Sequence, residues 1–247
     1  GQLVMMNFVL IGIGAGAAAA LLFASVISGA LLSIPLFYLA PLPIMIAGLG
    51  WSHWAALIAA GIGSISLGLA LGTVFFFGFL ADAGIPAWWL GYLAMLARPL
   101  AASGNGHEQP PLEWYPPGRI VMWAAILAAM VVIVAIPNFG TDAQTFVTGL
   151  HDALTRMLRA QMNAPDGSLK LPGGADPERF INFMVAVMPP TAAILAMLTS
   201  LLNLWLAGRV VKFSGRLTRP WPDLTAMRAP PLLAIALGLA IALSFVD

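Results

Sequence analysis

Phe8–Ile34 reads FVLIGIGAGAAAALLFASVISGALLSI and contains no charged residue. A stretch of about 25 apolar residues is long enough to cross a bilayer as one tilted helix. Small residues recur at every fourth position, as Gly12, Gly16, Ala20, Ala24 and Ser28. Residues four apart share one face of a helix, so this face is nearly bare of side chains. Lipid tails are as apolar as leucine, and helices in lipid associate where small residues let backbones approach. The stretch therefore predicts a membrane helix built to be packed against. Trp54–Leu80 repeats the ladder with Ala56, Ala60, Ser64, Gly68 and Gly72. The two ladders are expected to face each other or a partner protein.

The run Val9–Ala17 superficially matches a strand entering a dinucleotide-binding glycine turn. That fingerprint needs a helix with a polar face, a following strand and an acidic residue about 20 positions on. Here the apolar run continues to Pro35, and the first acid is Asp82.

Composition fixes the class. Hydrophobic residues are 60% and charged residues 9% of the chain, against roughly 25% charged in a soluble domain. Mean hydropathy is +0.92. These values predict a polytopic membrane protein in the lipid bilayer. The net charge of +1 gives no reason to expect nucleic acid. There are 0 cysteines, which excludes disulfides, thiolate metal sites and cysteine nucleophiles. The ends read as incomplete: Gly1 is not a start residue, Met5 or Met6 can serve as one, and Asp247 directly follows an apolar run. No basic segment of the kind that opens a signal peptide precedes the first helix.

Taken in order, the chain predicts an all-α bundle of about seven spans with one amphipathic surface helix. The first helix is expected to stop at Pro35. Leu36–Gly50 follows, broken by Pro41 and Pro43, with Trp51, His53 and Trp54 marking an interface. Next come Trp54–Leu80, a tight turn at Asp82–Pro86, a short helix Ala87–Ala97, and a loop Pro99–Gly118 without apolar period. Arg119–Ile136 is the fifth helix. The region 138–179 is read as an outer-side insert in which Phe146, Leu150, Leu154, Met157, Leu158 and Met162 form one apolar stripe. Phe180–Ala207 is the sixth helix, interrupted by Pro189 and Pro190, and Pro230–Val246 is the last apolar run. The loop after helix six carries Arg209, Lys212, Arg216, Arg219 and Arg228 against Asp223. Such a bias predicts a cytoplasmic loop, and by counting spans a cytoplasmic N-terminus in a bacterial inner membrane.

Catalytic chemistry has no footing in this pattern. With Asp82 read as a turn residue, no ionisable side chain falls inside a span, where one would mark an ion or proton pathway. His53, His107 and His151 lie at edges or in loops, no metal-ligand spacing is present, and the expectation is a non-enzyme without metal or cofactor. Prolines inside a span free backbone carbonyls that protein or a cavity must satisfy. Short, proline-interrupted spans are also the sequence signature of transporter binding sites. Tyr38, Pro41 and Pro43 in the second segment, and Asn182, Pro190 and Thr191 in the sixth, are therefore the candidate ligand-binding residues. Kinking for packing alone explains the same prolines. Asn203 reads as interhelical glue.

The run Asn203–Arg209 (NLWLAGR) and the following Ser214–Pro222 (SGRLTRPWP) resemble the YybS-like family of uncharacterised bacterial multi-pass membrane proteins. That family is distantly similar to the S components of energy-coupling-factor (ECF) transporters. The resemblance implies an S-component-like bundle that binds a small solute near its outer face. It also implies a transmembrane coupling subunit with separate ATPases, which suits a chain that has no nucleotide-binding P-loop of its own. Ala15/Ala19 and Ala20/Ala24 are the matching positions for the docking helix of such proteins. The competing expectation is a structural or regulatory membrane protein that holds partners through its helix faces and carries no solute.

Overall fold

A computed structural model describes residues 1–100, 110–135, 143–161, 174 and 176–221. Two compact units form, one from 1–130 with 195–221 and one within 131–194. Six helices among the described residues are long and apolar enough to cross a membrane. The seventh predicted run, Pro230–Val246, lies outside the described residues.

In the first unit, α1 spans Gln2–Ala24 and runs into a 3-10 turn, Ser25–Ser28. It starts earlier and ends earlier than the sequence predicts. Ser25 and Ser28 turn their hydroxyls back onto the carbonyls of Leu22 and Ser25, at 2.6 and 2.8 Å. Gly29 then takes a left-handed φ of 67°, which closes a helix at little steric cost in glycine. Pro35 is not the stop. It sits in the first turn of α2, Ser33–Tyr38, where its missing N–H removes no helix bond. A break follows before α3, Pro41–Gly50.

The helix α4, His53–Leu71, is capped by the Ser52 hydroxyl, which accepts from the Trp54 N–H. It ends at Gly72, whose φ is 101°. The predicted third helix is thus divided there. Its last part joins α5, Thr73–Phe79, a π turn, Leu80–Gly84, and α6, Ile85–Ala94. The turn expected at Asp82–Pro86 is instead the interior of one helical span, Thr73–Ala94. The extra residue of the π turn absorbs the proline: Ile85 N–H reaches back to the Leu80 carbonyl, and Pro86 enters the first turn of α6.

Strand β1, Ala97–Pro99, takes the end of the helix expected at Ala87–Ala97 and the start of the expected loop. It pairs antiparallel with β2, Leu112–Trp114, inside that loop, with Arg98 opposite Glu113. They lead into α7, Pro117–Ala135. In the second unit, α8, Ala143–Gln161, buries Leu150 and Leu154 against Ile181 and Val185 of α9, Pro177–Phe213. Arg156 and Arg159 on α8 are exposed. The 37-residue α9 continues through Pro189 and Pro190 and six residues past Ala207, so Arg209 and Lys212 stand on a helix and not in a loop.

The core of the first unit gathers Phe23, Ile44, Met45, Phe79, Leu90, Ala124, Leu204 and Val211. Around it, Leu3, Leu10, Leu21 and Leu69 are exposed. A helix such as α1, apolar on its packed and on its open face, is what a membrane span requires. Gly12 and Gly16 of the first ladder are in contact with α4. A Cβ on Gly16 would stand 2.6 Å from the Ala59 carbonyl, and one on Gly12 would stand 2.6 Å from the Ile58 side chain. Ala20 is buried, Ala24 half-buried, and Ser28 exposed beyond the end of α1. The ladder of α4 points elsewhere. Ala56 meets Gly48 of α3, Ala60 meets Gly84, and Gly68 meets Phe76. Ser64 is buried with its hydroxyl on the Ala60 carbonyl, and Gly72 is exposed at the helix end.

Candidate functional site in the broken second span

Two prolines produce the break between α2 and α3. Neither Pro41 nor Pro43 has an N–H, so the carbonyls of Phe37 and Leu39 lose their partners four residues on. Tighter bonds replace them, Ala40 N–H to Phe37 O at 3.1 Å and Leu42 N–H to Leu39 O at 3.0 Å. Leu42 is the residue that would serve the Tyr38 carbonyl in an unbroken helix. The Tyr38 carbonyl is left over, and Asn203 on α9 takes it, donating from Nδ2 at 2.8 Å. Asn203 is buried, and its Oδ1 has no hydrogen-bond partner among the described residues. Pro41 is buried, Pro43 is half-buried, and the Tyr38 ring is exposed beside Phe37. The break therefore presents a half-open aromatic face, a satisfied carbonyl and an unpaired amide oxygen. Asn182, Pro190 and Thr191 lie in the second unit and are exposed on α9.

The π turn is the second discontinuity. It carries Asp82, the one charged residue of the 22-residue span Thr73–Ala94. The expectation that no ionisable side chain lies inside a span is thereby corrected. The Asp-Ala-Gly-Ile-Pro signal is a real interruption, but it is absorbed within the helix. Asp82 is half-buried, and among the described residues no hydrogen bond or ion pair reaches its carboxyl group.

One end of the first unit is basic and aromatic. Arg216 donates to the Gly50 carbonyl at 3.0 Å and lies 4.3 Å over the Trp51 ring. Arg219 donates to the carbonyls of Ala94 and Tyr115, at 2.8 and 3.0 Å. Both guanidiniums sit at the carbonyl ends of helices, α3 and α6, where the helix dipole favours a cation. Arg98 pairs with Glu113 at 2.6 Å, and the guanidinium holds that carboxyl below its usual range. A cavity of about 420 Å³ opens here, lined by Arg98, Glu113, Trp114, Tyr115 and Arg119 among others. The runs 203–209 and 214–221 meet at this end. Trp221 lies against Gly208 and donates its Nε1–H to the Trp205 carbonyl at 3.1 Å.

Comparison with protein-family models, with curated proteins and with solved structures found no match.

Among the described residues no group of three or more His, Asp or Glu side chains could hold a metal ion. The basic end had no signal in the sequence beyond a count of arginines. Their targets are main-chain carbonyls, which every residue has. Asp82 had a misleading signal, since Asp, Gly and Pro within five residues also mark a turn.

Proposed function

We propose that this chain is a membrane-embedded subunit that binds a small solute at the break in its second span. In this reading it resembles the S components of ECF transporters through the YybS-like family. It acts with a transmembrane coupling subunit and separate ATPases. The observation that carries the reading is the unpaired, buried Oδ1 of Asn203 beside the freed backbone of Tyr38. A polar atom left open at a helix discontinuity is a receptor for a solute donor, and discontinuous spans are where transporters bind. The basic end formed by Arg98, Arg119, Lys212, Arg216 and Arg219 favours the cytoplasmic side of a bacterial inner membrane, with the N-terminus on that side.

The test is native mass spectrometry of the protein extracted in mild detergent, with thermal shifts against a panel of water-soluble vitamins. A small molecule that copurifies with the wild-type chain, or raises its melting temperature, supports the reading. Asn203→Leu, checked for retained helicity, should lose it. A wild-type chain that carries nothing and responds to no solute leaves the structural or regulatory role in its place.

A further inference from the structure

We propose that Asp82 is a reversible proton-binding site inside the membrane. The inference stands apart from solute binding and holds whether or not a solute is found.

Position is the first argument. Asp82 lies near the middle of the span Thr73–Ala94, where an ionised side chain is costly and ionisable residues line proton or ion paths. Local geometry is the second. Leu80–Gly84 is a π turn, a rare element that recurs at functional sites. Ile85 N–H goes to the Leu80 carbonyl and Pro86 has no N–H, so the carbonyl of Ala81, next to Asp82, has neither a four-residue nor a five-residue helix partner. A neutral carboxyl can donate to such an oxygen, whereas a carboxylate only accepts and is repelled by it.

The surroundings decide between a proton and a metal cation. The elements packed against the π turn are α3, α4, α5 and α6. Neither α3 nor α5 has a titratable side chain, α4 brings His53 at its first residue, and α6 brings Tyr92 in its last turn. His53 and Tyr92 are in contact with each other at 5.1 Å between ring centroids, at the ends of their helices. No second carboxylate and no cation comes from these elements. A hard cation needs about six oxygen ligands, and one carboxyl with one freed carbonyl is far short of that. A proton needs only the carboxyl.

Dicyclohexylcarbodiimide tests this on the full chain in proteoliposomes. The reagent partitions into lipid and reacts with a protonated carboxyl. The carboxyl oxygen bonds to the carbodiimide carbon and the proton passes to its nitrogen. Rearrangement to the N-acylurea then leaves one stable adduct and no leaving group. We expect one adduct on Asp82, abolished in Asp82→Asn and retained in Asp82→Glu. We also expect an infrared band of a protonated carboxyl that disappears as pH is raised and is missing from Asp82→Asn. Absence of labelling at Asp82 overturns the proposal. A band that never titrates overturns it too, because the group would then be permanently neutral. Protection by sodium at constant pH and ionic strength also overturns it, in favour of a metal-cation site.

Discussion

Asn203 on α9 donates its Nδ2–H to the main-chain carbonyl of Tyr38 at 2.8 Å, across 165 residues of sequence. This one bond satisfies the oxygen that Pro41 and Pro43 leave without a helix partner. Replacing Asn203 with Ala removes the donor and leaves the carbonyl unpaired in an apolar interior. The expected loss is about 1–3 kcal/mol. Asn203→Asp should be worse, since it sets oxygen against oxygen. Melting temperatures in detergent for both variants check the order.

Gly16 and Gly14 separate packing from helix propensity. A Cβ at Gly16 would sit 2.6 Å from the main-chain oxygen of Ala59, which cannot move without displacing α4. Around Gly14 nothing lies within 4 Å. Gly16→Ala should therefore destabilise by about 1–3 kcal/mol. Gly14→Ala should be neutral or stabilise by up to about 1 kcal/mol. Ala20→Leu is expected to behave like Gly16→Ala. Equal behaviour of the two glycine variants in a thermal melt would remove the close α1–α4 contact.

Gly208 is the seat of Trp221, and a Cβ there would overlap the indole ring. Gly208→Ala is expected to expel Trp221 and break its bond to the Trp205 carbonyl. The readout is tryptophan exposure to an aqueous quencher, compared with Trp221→Phe in the same background.

The pair His151–Glu178, with Nε2 and Oε2 2.7 Å apart, links α8 to α9 within the second unit. Hydrogen bonding to Glu178 raises the pKa of His151 above 6.5, with smaller help from Asp152. A histidine raised on folding contributes stability that is fully present below its unfolded pKa. The contribution is lost as pH rises through the folded pKa. The docking of α8 should accordingly be tighter at mildly acidic than at alkaline pH. Glu178→Gln should lower the His151 pKa and flatten that dependence. NMR titration of the imidazole measures the first effect, and hydrogen exchange along α8 the second.

Ser214 opens the segment in which Arg216 and Arg219 cap α3 and α6. A cysteine at Ser214 should resist an impermeant thiol reagent added outside intact cells and react once the membrane is opened. Labelling from outside would reverse the orientation.

The sequence by itself determined the membrane class and nearly all the helical segments. Bilayer thickness and hydropathy act residue by residue, so apolar runs such as Phe8–Ala24 need no knowledge of their neighbours. It also marked the proline break at Pro41 and Pro43, because a missing N–H is a property of the residue itself. The amphipathic stripe of α8 was legible in part: Phe146, Leu150, Leu154 and Leu158 at helical spacing face one cluster, whereas Met157 is exposed and Met162 lies outside the described residues. Only the tertiary structure decided that Gly12 and Gly16 meet Ile58 and Ala59 while Ala60 meets Gly84, because ladder spacing gives a face and not its partner. It decided that Asp82 belongs inside a span. The same Asp, Gly and Pro can end a helix or be absorbed by a π turn, and packing of α3 and α4 around Ala83 and Gly84 selects the second. It decided as well that Asn203 serves Tyr38, since a carbonyl orphaned by proline can be satisfied by any donor the fold brings within reach.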